Sequence, residues 1–123
     1  MNKRPARIMN KKPTRKFVKK AGGKWRKTTT LGPKNVRITQ DLGNGFFIIE
    51  FTQVSIAPNS VHEIRLRNIG IRRVISAGWT MTGNQPVSVL ENYPFSHNEW
   101  ILTFLNQSSV RRAVSTFLVT KLP

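Results

Sequence analysis

Lys11, Lys12, Arg15, Lys16, Lys19, Lys20, Lys24, Arg26 and Lys27 fall within one short stretch that no Asp or Glu interrupts. With Lys3, Arg4 and Arg7 they make the first thirty residues a block of twelve cations and no acid, in a chain whose formal charge is +16. Cations spaced every few residues along an extended chain can follow a polyanion. Each phosphate they neutralise releases counterions, so affinity accumulates from weak contacts and falls steeply with salt. Thirty residues at full stretch reach roughly 100 Å. No base-reading element accompanies the block, so binding is expected to be independent of nucleic-acid sequence. Phe17 and Trp25 are the aromatic residues of this stretch. They could stack on unpaired bases or anchor the stretch on a protein surface.

The chemistry of catalysis is harder to find. Titratable residues beyond the cations are Asp41, Glu50, Glu63, Glu91, Glu99, His62 and His97. Asp41 falls in a turn, and Glu50 and Glu63 are expected on strands as solvent-facing partners of arginine. His97 and Glu99 flank Asn98, but two ligands do not hold a metal ion. Ser96-His97 lacks the orienting acid and oxyanion hole that a nucleophile requires. Gly43-Asn44-Gly45 has no third glycine and no following helix, so it is not a dinucleotide fingerprint. Ala21-Gly22-Gly23-Lys24 lacks the first glycine and the hydroxyl residue of a phosphate loop. Cysteine is absent, which removes disulfides, thiolate ligands and thiol nucleophiles. The expectation is a non-enzyme with no catalytic residues, metal, cofactor or small-molecule substrate.

Residues 34–123 carry nine cations against all five acids, and their texture is that of strands. Alternation at 35–40, 61–67 and 99–106, and β-branched or aromatic runs at 46–56, 71–81 and 110–121, are separated by turn residues. Asn44-Gly45 is a strong hairpin signal because both residues tolerate positive φ. Residues 87–91 read as a short strand and 92–98 as a polar loop, with Gly78 as a bulge. Asn106-Gln107-Ser108 reads as a tight turn. Seven or eight short strands at this spacing predict an all-β fold, a small antiparallel sandwich or barrel. Domain organisation follows: residues 1–33 as an extended basic arm and linker, 34–123 as the β-sandwich. Paired apolar residues such as Phe46-Phe47 and Ile48-Ile49 put apolar surface on both faces of a strand, which implies contact with copies of itself or with neighbours.

The run "VSVLENYPFSHNEWILTFLNQSSVRRAVSTFLVTK", with its strand, Asn-x-Ser turn and final strand, resembles the closing hairpin of small β-sandwich virion proteins of phages and other icosahedral viruses. A basic N-terminal arm before a β-sandwich is also similar to viral coat and minor capsid proteins. The resemblance implies a structural subunit of a virus or phage particle, of minor capsid, decoration, vertex or connector-associated type. Its partners would be other virion subunits, itself, and packaged nucleic acid through the arm. The stretch "MNKRPARIMNKKPTRKFVKK" is similar to the extensions of ribosomal proteins, so the alternative is a ribosomal or other RNA-binding protein. No run approaches the roughly 18 apolar residues of a membrane span, and no apolar region follows the cations as in a secretory signal. A virion location, with no membrane partner, is expected.

Overall fold

The computed structural model describes residues 18–21, 24–68, 70–83 and 87–123. In chain order these form β1 (Val18–Ala21), β2 (Lys24–Leu31), a single 3-10 turn (Pro33–Asn35), β3 (Val36–Gly43), β4 (Phe46–Phe51), β5 (Val54–Ile56), β6 (Ser60–Arg67), β7 (Arg73–Met81), β8 (Val87–Ser96), β9 (Glu99–Asn106) and β10 (Arg112–Lys121). The chain is an all-β sandwich. Sheet A has the order β1-β2-β6-β9-β8. In sheet B, β4 and β5 both pair with β10, β3 flanks β4, and β7 takes the other side of β10.

Alternation makes the two layers. Ile64, Leu66, Leu102 and Phe104 of sheet A meet Ile49, Phe51, Ile56, Val114 and Leu118 of sheet B in one buried cluster. Trp79 of β7 meets Phe104 of β9 edge to face, with centroids 5.7 Å apart. Such a pair adds to what burial alone contributes. Turn chemistry sets the register of β3 against β4. Asn44 and Gly45 both take positive φ, at 56° and 84°, and Asp41 Oδ1 accepts from the Gly43 amide at 2.8 Å.

At one end of the sandwich the fully buried Asn106 ties β9 to its surroundings. Its Nδ2 donates to the carbonyls of Ile56, Ala57 and Val110, and its Oδ1 accepts from the amide and hydroxyl of Ser108. The Asn-x-Ser run is thus a structural hub, which is a fuller role than the tight turn expected of it.

Several expectations are corrected. The proposed boundary at residue 33 does not separate an arm from the domain, because β2 lies in sheet A, parallel to β6, from Trp25 opposite Ser60 to Leu31 opposite Leu66. Thr28-Thr29-Thr30 is a β-branched run that suits a pleated sheet, and Leu31 joins the core; the density of charge masks that signal in the composition. Residues 92–98 do not form a polar loop. Most of them continue β8 against β9, and Pro94 is tolerated there because β8 is an edge strand, where one amide can be missing. The run 46–56 is two strands, interrupted at Thr52-Gln53. Gly78 is not a bulge: the β7 irregularity falls at Ile75, between partners of Val119 and Thr120. Gly78 instead lies under the ring of Phe117, which occupies the place a Cβ would need.

Candidate functional site

The outer face of sheet A, away from the core, holds most of the acids. Arg26 on β2, Glu63 and Arg65 on β6, Glu99 and Thr103 on β9, and Glu91 on β8 project to this side. Alternation places them there, because Ile64, Leu102 and Phe104 between them point into the core. Arg26 Nη2 donates to Glu63 Oε1 at 2.7 Å and to Glu91 Oε1 at 2.8 Å. Arg65 Nε donates to Glu63 Oε2 at 2.6 Å and its Nη1 to Glu99 Oε2 at 3.0 Å. Arg67 Nε reaches Glu99 Oε1 at 3.2 Å, and Thr103 Oγ1 donates to Glu91 Oε1 at 2.6 Å. One network therefore crosses four strands, with three guanidinium groups balanced by three carboxylates.

The ionisation behaviour follows from that geometry. Burial disfavours the charge on Arg26, but hydrogen bonds and attraction from Glu63 and Glu91 outweigh it and hold the group above its ordinary value. Arg65 behaves likewise, with Glu63 and Glu99 outweighing burial. The Glu91 carboxyl is held below its usual range, first by the Thr103 hydroxyl and then, against opposing burial, by Arg26. Glu63 meets arginine as expected but is buried, so the expectation that it faces solvent is corrected; Glu99, read as a loop residue beside His97, is also buried and meets Arg65 and Arg67.

His62 lies on the inward-facing side of β6. Its Nε2 is 2.7 Å from Thr29 Oγ1. Burial, assisted by the nearby charge of Lys27, pushes the imidazole down to about 4. His62 therefore works as a neutral element of the joint between β2 and β6.

Beside the network, β8 presents two aromatic side chains. Tyr93 pairs with Ile101 across the strands, and Phe95 lies 5.0 Å under the guanidinium carbon of Arg65. They are 40% and 55% exposed. Arg67 and Glu99 of the network also line a cleft of about 560 Å³, together with Thr30, Lys34, Asn35 and Asn98. A second cleft of about 480 Å³ shares Pro33, Arg67 and Asn68 with it and adds Arg72. The rim is braced by Asn68, whose Nδ2 donates to the Arg72 carbonyl at 2.9 Å and whose amide donates to the Asn98 carbonyl at 2.9 Å.

The candidate cations divide into three groups. Lys3, Arg4, Arg7, Lys11, Lys12, Arg15 and Lys16, with Phe17, lie outside the described residues. Lys19 and Lys20 lie on β1 and Lys24 and Trp25 on β2, with Lys19 opposite Arg26 and Lys20 opposite Trp25. These positions form a hairpin at the edge of sheet A. Arg26 is already committed to Glu63 and Glu91, whereas Lys27 is exposed. Tyr93 and Phe95 were missed because 92–98 read as a loop; the alternation Tyr93, Phe95 around Pro94 is the signal that could have revealed a strand. Among the described residues, no group of three His, Asp or Glu side chains is placed to hold a metal ion, and His97 and Glu99 bring no third ligand. Among the same residues, no helix is long and apolar enough to cross a membrane.

The family model YjdH matches residues 27–120, from the end of the cationic stretch to the penultimate residue of β10. No curated protein matches the chain, and no solved structure does.

Proposed function

The chain belongs to the YjdH family, and from that premise we propose that it is a non-enzymatic structural subunit of a nucleic-acid-containing particle, of which a virus or phage particle is the case its sequence resembles. In this reading the cationic stretch and the β1–β2 hairpin bind the polyanion. The sandwich offers its apolar outer sheet B face to further copies of itself.

The observation that supports this reading is the distribution of charge. Every carboxylate of the chain is already occupied: Glu63, Glu91 and Glu99 by Arg26, Arg65 and Arg67, Glu50 by Arg37 at 3.7 Å, and Asp41 by a backbone amide. Among the described side chains the ion pairs go to Arg26, Arg37, Arg65 and Arg67, and Lys27, Lys34 and Lys121 receive none. A formal charge of +16 is thus left to act on a partner, and a strong positive field favours polyanions.

The test is a salt titration of full-length protein on labelled DNA and RNA, beside a variant with Lys11, Lys12, Lys16, Lys19, Lys20, Lys24 and Lys27 changed to Gln. Lys27 stands outside the network of Arg26, Arg65 and Arg67, and circular dichroism with thermal melting checks that the variant is folded. The expected outcome is a steep loss of wild-type affinity between 50 and 200 mM salt, on the order of 10³-fold if most of the cations engage phosphate, and a much shallower slope for the variant. Sedimentation should also show closed oligomers. A wild-type protein that binds neither polymer at 50 mM salt overturns the reading. Co-sedimentation with ribosomes, as a monomer, would transfer it to an RNA-binding module.

A further inference from the structure

We infer that Tyr93 and Phe95, on the outer face of sheet A, form a stacking platform for two unpaired bases, so that the nucleic acid this chain holds is single-stranded. The inference rests on the polyanion reading above and adds to it the state of the polymer.

Three observations carry it. Tyr93 and Phe95 lie two residues apart on one strand, both directed to the same face, and both keep large exposed ring surface. Side chains two apart on a regular strand stand roughly 6.5–7 Å apart, about twice the 3.4 Å rise per base of a duplex strand; the register irregularity at Phe95 bends β8 there, and the contact with Arg65 keeps its ring on the face of Tyr93. Consecutive bases can cover both rings only when they are unstacked from each other.

The second observation is rigidity. Arg65 is fixed by Glu63 and Glu99 and lies against one side of Phe95. A preformed ring surface costs less to use than a mobile one, and aromatic rings beside arginine are suited to stacking on bases.

The third is the balance of charge. The three arginines here are matched by three carboxylates, so this face offers little net attraction to phosphate. It offers instead a neutral surface of rings and fixed hydrogen-bonding groups, which is what a base requires. Phosphates flanking the stacked bases fall to Lys34, in the cleft that Glu99 of the network also lines.

The experiment uses the full chain and four labelled probes: a dT oligonucleotide, a U oligonucleotide, a duplex of the same length, and an abasic strand carrying the same phosphates. The wild type is expected to bind the base-bearing single strands more tightly than the abasic strand. The double variant Tyr93→Ala, Phe95→Ala should lose at least 10-fold in affinity for single strands, at about 1–3 kcal/mol per base. Its affinity for the duplex and the abasic strand, and its salt slope, should not change. Tyr93→Phe with Phe95→Trp should retain single-strand binding, and circular dichroism with thermal melting checks that each variant is folded.

Equal affinity of wild type and double variant for single strands, with a steep salt slope in both, overturns the platform and leaves the polyanion reading standing. Loss of self-association in the double variant, with nucleic-acid affinity intact, assigns the patch to a protein contact and also overturns it. A wild type with no affinity for any probe removes both readings together.

Discussion

The two sheets turn very different faces outward. Sheet A carries a network of fixed arginines and carboxylates that crosses four of its strands. Sheet B carries Phe46, Ile48, Phe117 and Val119, half-buried, with Ile38 at 49% exposure beside them. Its outward ion pair, Arg37 with Glu50, spans 3.7 Å between an exposed arginine and a half-buried glutamate. The difference shows where each face gets its order. On sheet A, each arginine and glutamate of the network is fixed by a neighbour on another strand. On sheet B, the covering is supplied by ring and aliphatic surface, with Lys121 lying 5.3 Å over Phe46. The charges of the first face are satisfied without a partner, whereas the second face gains by being covered.

The largest expected break strikes the layer both faces share. Phe104→Ala removes a fully buried ring and its contact with Trp79, and should cost about 4 kcal/mol in urea unfolding. Next comes the sheet A network. Glu63→Ala takes one of two carboxylate partners from each of Arg26 and Arg65 and should cost about 2 kcal/mol. The matching change on sheet B, Glu50→Ala, should cost less than about 1 kcal/mol, because that pair is long and its arginine is open to solvent. Equal losses at the two positions would erase the proposed contrast between the faces.

A pH titration sharpens the picture at the joint between β2 and β6. The His62 imidazole is pushed down to about 4 from an ordinary 6.5, so between those values the unfolded chain binds the proton and the folded chain does not. Stability is therefore full above pH 6.5 and falls as pH drops toward 4, by two to three kcal/mol on an order-of-magnitude basis. His62→Gln should flatten this part of the profile in chemical denaturation at stepped pH. Glu91, held low by Thr103 and Arg26, loses its contribution only at still lower pH, as it protonates. The smallest structural change is Gly78→Ala on sheet B. The Phe117 ring occupies the needed space and would have to move, for a cost of about 1–2 kcal/mol by thermal melting. The apolar face would then be more exposed, so self-association should rise if this face meets copies of itself.

Much of the fold is legible in the residues. Alternation at 61–67 and 99–106 marks β6 and β9, and Asn44-Gly45 marks the β3–β4 hairpin, because period and turn chemistry are local properties. The early strands are not legible by the same means. In β1 and β2, charge dominates the composition, and what makes a strand of Lys24–Leu31 is a parallel partner far along the chain. In the second half of β8, Pro94 and the Asn residues signal a turn, yet β9 supplies enough cross-strand bonds to override them. The candidate site was half visible for the same reason. Its cations stand out in composition, whereas the meeting of Arg26 with Glu63 and Glu91, or of Arg65 with Phe95, requires strands that only the sheet brings together.

The parallel pairing of β2 with β6 has a kinetic consequence. Every rung joins residues 35 positions apart, from Trp25 with Ser60 to Leu31 with Leu66, and the intervening chain must first visit sheet B and return. The β8–β9 hairpin can close quickly, but β2 has no template until β6 has docked on β9. Folding should therefore end with the slow addition of β2, since loop closure over long separations delays the step. A newly made chain passes through a stage in which the flank of β6 is open and ready to accept a strand from any chain nearby.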